Sequence, residues 1–240
     1  MATLPDFSMV HRSSEVVAEI EREVLDGKLY PGQRLPSEEK LSEQFGVSRT
    51  VIREAIQQLR GRGLLRTLKG SGSYIANPDL TALASALETY SVLTEDHFFI
   101  QLIDFRILLE TECAHLAAQH AGEHALTEIL THLDEMKLSK GDCDLFSKAD
   151  IAFHLSIAKA SGNAIYLTVL SGLEKRCIEY ATTNRSEGAW YEQIVHTHQE
   201  IYDAIVDGHQ EAAAQAMRRH LLHSRRHYID LETQSAIENL

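Results

Sequence analysis

"VSRTVIREAIQQLRGRG", Val47 to Gly63, decides the fold of the first third of the chain. Ile52, Ala55, Ile56 and Leu59 stand at i, i+3, i+4 and i+7, the spacing of one helical face turned to a core. Arg49, Arg53, Gln57 and Arg60 form the opposing stripe, with Thr50 beside it. Ser48 is the expected N-cap and Gly63 the expected stop. An amphipathic helix with arginines on its outer face fits the DNA major groove, where Arg reads guanine O6 and N7 with two hydrogen bonds. Residues near the start of such a helix touch base edges. Arg49, Thr50 and Arg53 are therefore the candidate base readers. Ser48 and the helix N-terminus are a candidate phosphate site.

The flanking segments fit the same reading. "SSEVVAEIEREVLDGKLYPG" predicts a helix through Val16, Val17, Ile20, Val24 and Leu25, stopped near Gly27. "LPSEEKLSEQFG" predicts a short second helix capped by Ser37. Downstream, "LLRTLKGSGSYIAN" predicts two short strands around a Gly-rich turn. Three helices and a hairpin, in that order, make a winged helix-turn-helix. The hairpin tip "KGSG" is small enough to approach a DNA backbone or minor groove through Gly70 and Gly72, with Lys69 on a phosphate.

The net charge of −12 argues against a polyanion partner, but its distribution does not. Residues 1–77 hold 11 Lys and Arg against 10 Asp and Glu, a net of +1, and residues 78–240 carry −13. Between Phe45 and Gly70 six basic residues face one acidic residue, Glu54. A basic patch on an acidic molecule is an electrostatic footprint for DNA, or else a solvated helix face. At 44% apolar the chain excludes wholesale disorder. It has no run of about 20 apolar residues that would span a membrane. The N-terminus shows no basic segment followed by an apolar run, and so no secretory signal. The cysteines Cys113, Cys143 and Cys177 are odd in number and dispersed, which points to a reduced, cytoplasmic setting.

The ordered set "GQRLPSEEKLSEQFGVSRTVIREAIQQLRGRGLL…KGSGSYI" resembles the GntR-type winged-helix repressors over roughly Ser13 to Ala76. The resemblance implies operator DNA as partner and brings Arg34 into the DNA-contacting set. The chain departs from the pattern at Glu39, followed by Lys40, where many members carry Arg after the Ser-Glu pair. A base or phosphate contact is not expected from that position.

After Asn77 no strand pattern appears. Seven helical segments with short connections predict an antiparallel bundle over residues 78–240, so the whole chain reads as mainly α. Within the bundle "KADIAFHLSIAKASGN", Lys148 to Asn163, sets Asp150 one turn before His154. His198 shares a face with Ile201, Tyr202 and Ile205, and His220 shares one with Ala213, Ala216 and Met217. Imidazoles on core-facing stripes need partners. Three neutral histidines and a carboxylate suit a divalent transition metal, Zn first, then Ni, Mn or Fe. An i,i+4 Asp–His pair alone is equally a hydrogen bond. Of the remaining ten histidines, His196 points away from His198, and His223 follows His220 by one turn.

The pattern D-x-x-x-H…ASGN…H-x-x-I-x-D-A-I…M-x-x-H-L resembles the effector domain of the FadR-like (FCD) branch of GntR regulators. That resemblance implies a metal held by Asp150, His154, His198 and His220, a small carboxylic acid as effector, and a homodimer, with repression as the expected output. It also places an Arg facing the pocket, here Arg106, with Asn163 as a further polar contact. The competing reading of Arg106 is an intrahelical pair with Glu110. Two other classes remain open: a metal-ion-responsive regulator, and a metallohydrolase fused to a DNA-binding domain. The second lacks HExxH and a second carboxylate at matching spacing, so no enzyme is expected.

Overall fold

The computed structural model describes residues 7–68, 70–77, 80–93, 98–183 and 188–238. The chain divides into two compact units between Ala82 and Leu83.

The first unit contains α1 (Phe7–Leu25), α2 (Glu38–Phe45), α3 (Arg49–Gly61), β1 (Leu65–Leu68) and β2 (Gly72–Ile75). Its core joins Val16, Val17 and Ile20 of α1 to Leu41 of α2, to Ile52, Ala55 and Leu59 of α3, and to Leu65 and Ile75 of the hairpin. Burying each such aliphatic side chain contributes about 1.5–3 kcal/mol. Both caps needed for the helix-turn-helix are present. Ser37 accepts from the Lys40 N–H, and Ser48 from the Val51 N–H. Between them Gly46 ends α2 in the left-handed region at φ 64°, which favours glycine. The strands are antiparallel with Leu65 opposite Ile75 and Leu68 opposite Gly72. Arg34 bridges to Tyr74, so the segment before α2 lies along β2.

The second unit is a helical bundle. It holds α4 (Thr81–Leu93, whose first two residues belong to the first unit), α5 (Phe98–His120), α6 (Glu123–Leu138), α7 (Cys143–Ala160), α8 (Ala164–Gly172), α9 (Glu174–Thr183), α10 (Gly188–Val206) and α11 (Gln210–Glu238). This is eight helices where seven were expected. The segment from Ala164 to Thr183 breaks at Leu173, whose N–H donates back to the Leu170 carbonyl, and beside the break Gly172 packs closely on α4. A Cβ at Gly172 would stand 2.8 Å from the Ala84 carbonyl oxygen. Helix α7 is buried on nearly every side, which makes it the axis of the bundle. It starts at Asp142, which accepts from the Leu145 N–H at 3.0 Å. It ends at Gly162, at φ 75°. Among the described helices none is long and apolar enough to cross a membrane. None of the three cysteines is in a disulfide.

Candidate functional site

Helices α7, α10 and α11 bring Asp150, His154, His198 and His220 together. One ligating atom from each lies within 4.8 Å of all the others, and all four residues are buried. Donor atoms about 2.1 Å from a single ion stand at most about 4.2 Å apart, so slight closure would seat one.

The imidazoles are oriented from behind. His198 Nδ1 donates to the Ile194 carbonyl at 2.8 Å. The Thr197 hydroxyl donates to the same carbonyl at 2.9 Å. Having spent its proton there, Thr197 accepts from His220 Nδ1, also at 2.9 Å. One backbone carbonyl of α10 thus fixes two rings as Nδ1–H tautomers and leaves both Nε2 lone pairs for a ligand. His198 Nε2 lies 3.0 Å from Asp150 Oδ1, and with its proton on Nδ1 it has no hydrogen-bond partner there. His154 Nε2 is likewise buried without a partner. Buried polar atoms left open cost about 1–3 kcal/mol each, and these converge on one point. The donor set therefore fits a divalent ion on an observation of its own, the orphaned ring nitrogens.

Behind His154 stands a residue that sequence reasoning gave only to Arg106. Arg106 Nε donates to Glu110 Oε1 at 2.6 Å, and Glu110 Oε2 lies 2.5 Å from His154 Nδ1. All three side chains are buried. Burial pushes the Glu110 carboxyl up, but the Arg106 guanidinium and the adjacent His154 ring outweigh it and hold it down at about 2. Burial likewise raises Asp150, and His198, His154 and Arg106 bring it below the usual carboxylate range. Burial, then the neighbouring His198, His154 and Arg106, keeps His220 neutral far below the ordinary histidine range. All three shifts favour the protonation states that a metal requires.

A cavity of about 20 Å3 adjoins the cluster, lined among others by Arg106, Asp150, His220, Trp190 and Ser224. The two terminal nitrogens of Arg106 have no hydrogen-bond partner among the described residues. Asn163 does not line this cavity. Its Oδ1 caps α8, accepting from the Ile165 and Tyr166 N–H groups. His223 stacks on Trp190 at 4.6 Å, and His196 is exposed beside Glu200, so neither enters the cluster.

In the first unit Arg49, Thr50 and Arg53 project from the first turns of α3 into solvent. Arg49 pairs with Glu39, and Arg53 Nε donates to Glu38 at 2.7 Å. Ser48 spends its hydroxyl oxygen on the helix cap. Arg34 lies across Gly72: a Cβ there would meet its Nε at 3.2 Å. Gly70 and Gly72 both take positive φ, as the tight hairpin requires. Lys69 lies outside the described residues.

Residues 12–75 match the gntR family of bacterial regulatory proteins, and residues 101–223 match the FCD domain. The HTH-type transcriptional regulator LutR of Bacillus subtilis is 32% identical over 82% of this chain and 92% of its own length. The Glc operon transcriptional activator of Escherichia coli K12 is 34% identical over 91% of this chain and 89% of its own. The solved structure of Streptococcus agalactiae GntR superposes with a TM-score of 0.60 at 26% identity, covering 89% of this chain and 99% of that one. The chain belongs to the GntR family of DNA-binding transcriptional regulators, with a winged helix-turn-helix followed by an FCD ligand-binding domain, and its relatives are regulators rather than enzymes.

Proposed function

We propose that the protein is an acid-responsive operator-binding regulator whose FCD domain holds one divalent transition metal, zinc before nickel, manganese or iron. The observation that carries this reading is the buried Asp150, His154, His198 and His220 set with its unpartnered ring nitrogens. Asp150 would supply the anionic ligand and the three histidines neutral ones. When bound, such an ion supplies a Lewis-acid position for a carboxylate oxygen. Arg106, with two free guanidinium nitrogens on the adjoining cavity, would take the carboxylate's charge through paired hydrogen bonds. A short carboxylic acid is the chemistry that both groups recognise.

On the DNA side, Arg49, Thr50 and Arg53 would read base edges. Arg34, Ser48, Lys69 and the Gly70–Gly72 tip would track phosphates or the minor groove. One winged helix reads too few base pairs for specificity, so the protein would act as a homodimer on a short pseudo-palindrome in cytoplasmic DNA. Acid binding regulates by differing in affinity between DNA-competent and DNA-incompetent states. Repression is the simplest output, since occupancy of promoter DNA alone excludes polymerase.

Elemental analysis of the purified protein, with operator titrations across short hydroxy, keto and dicarboxylic acids, tests the reading. The expected result is about one ion per chain and an operator affinity that one class of acid changes. Arg106→Lys keeps the buried charge that Glu110 needs but lacks the planar fork. It should retain the ion and the acid-free operator affinity, and shift the acid response at least about tenfold, one well-formed charged contact. A protein that responds to the metal and to no acid is a metal sensor instead.

A further inference from the structure

We infer that Glu110 is a positioning residue for the metal centre, holding His154 so that its Nε2 faces the ion; this rests on the metal reading above. The other two rings are held by neutral acceptors, the Ile194 carbonyl and the Thr197 hydroxyl, both on α10. His154 has no such partner. The atom beside its Nδ1 is Glu110 Oε2 on α5, at 2.5 Å, and both atoms are buried without a completed hydrogen bond. A small turn of the ring brings the Nδ1–H onto the carboxylate and presents Nε2 to the ion. The change satisfies buried groups that are otherwise orphaned.

A role confined to neutralising Arg106 does not account for this arrangement. That role engages Oε1, at 2.6 Å, and leaves Oε2 free to face anywhere, yet it faces the ring of a candidate ligand. The Arg106 bond does something else for the centre: it pins the carboxylate and pairs its charge in a buried setting. An ionised acceptor behind a ligating imidazole fixes the tautomer and strengthens the ring as a donor, which a backbone carbonyl does less strongly. His154 is then the one histidine donor backed by a carboxylate. Glu110 sets how tightly the centre holds its ion without touching it.

The test uses the full chain, Zn2+ competed against a chromophoric chelator, and the visible spectrum of the Co2+ form. Glu110→Gln should weaken Zn2+ binding about 10–100-fold, as loss of an outer-sphere partner does, and should move the Co2+ bands. Glu110→Gln leaves Arg106 buried without its counter-charge, so the double variant Arg106→Gln/Glu110→Gln, which removes both charges, is measured beside it. It should melt cooperatively and show the same loss. Wild-type Zn2+ affinity and an unchanged Co2+ spectrum in both variants would overturn the inference. His154→Ala separates the two levels. If it binds Zn2+ like the wild type, or if the wild type takes up no Zn2+, the metal centre itself falls. If His154→Ala loses Zn2+ and the Glu110 variants do not, the centre stands and Glu110 is only Arg106's counter-ion.

Discussion

Arg53 of α3 and Arg106 of α5 each donate from Nε to a glutamate, at 2.7 Å to Glu38 and at 2.6 Å to Glu110. The bonds match in length and differ in surroundings. The side chains of Arg53 and Glu38 are 66% and 40% exposed, those of Arg106 and Glu110 are 4% and 1% exposed. In water the first pair gains little, because solvent and salt screen it and two long side chains must be held still. Away from water the second is costly to assemble and far more costly to break, since either partner alone is a stranded charge. The DNA-reading unit therefore keeps its arginines available. The sensing unit locks its arginine into a network that reaches the candidate metal ligands. One kind of ion pair serves as a loose cover in one unit and as a structural strut in the other.

The largest expected difference is in stability. Glu110→Ala should cost about 3–5 kcal/mol in denaturant melts, against less than about 1 kcal/mol for Glu38→Ala. Equal costs would abolish the contrast between the two pairs.

Acid should find the buried network first. His220 has its folded pKa depressed, so its contribution is present above the ordinary histidine value and is lost as pH falls below it. Glu110, held at about 2 against an ordinary 4.5, and Asp150, also lowered, contribute above the ordinary carboxylate range and are lost as pH falls through their folded values. Metal-free protein should therefore weaken from about pH 6.5 downward, with a second decline below about pH 4.5. Thermal melts of the chelated protein, in steps from pH 8 to pH 2, follow this directly. A flat profile would mean that the network is open to water.

Arg49→Ala and Arg53→Ala should each weaken operator binding by about 1–3 kcal/mol and relax base preference. The melting temperature and the metal content should stay as they are. Operator titrations over a salt series show the effect, and unchanged affinity in both variants removes α3 as the reading helix.

The smallest effect belongs to Glu39. Its carboxylate must leave Arg49 before that arginine can bind a base, so Glu39→Gln should tighten operator binding by no more than about fivefold. The gain should fade as salt is raised. A large, salt-independent change would show that Glu39 itself contacts DNA.

Much of this was legible in the sequence, for reasons that can be named. The α3 stripe is regular and its caps are local, so Ser48, the core positions and the exposed arginines follow from spacing. Asp150 and His154 share one turn of α7, and His198 and His220 lie on apolar faces that had to turn inward, so the cluster was within reach. Glu110 was not. Its i,i+4 pairing with Arg106 already explained it, and His154 lies on another helix. The break at Leu173 and the close packing of Gly172 on Ala84 beside it are announced by no local pattern. Asn163 could have been assigned from the chain alone, because an Asn after "SG" and before an apolar helix is a cap signal.

The cavity beside the cluster has room for about one or two water-sized groups, and the two donors that line it, Asp150 and His220, are buried. A signal molecule larger than a water or two does not fit this cavity as it stands. On the proposed reading its arrival would wait for the helices to part, a motion of microseconds to seconds. The observed association rate should then level off as the acid concentration rises, and departure should be slow for the same reason. Under the proposed acid reading, a regulator built in this way would average its input over time. Brief pulses of acid would pass unread, and sustained ones would leave an occupancy that outlasts them.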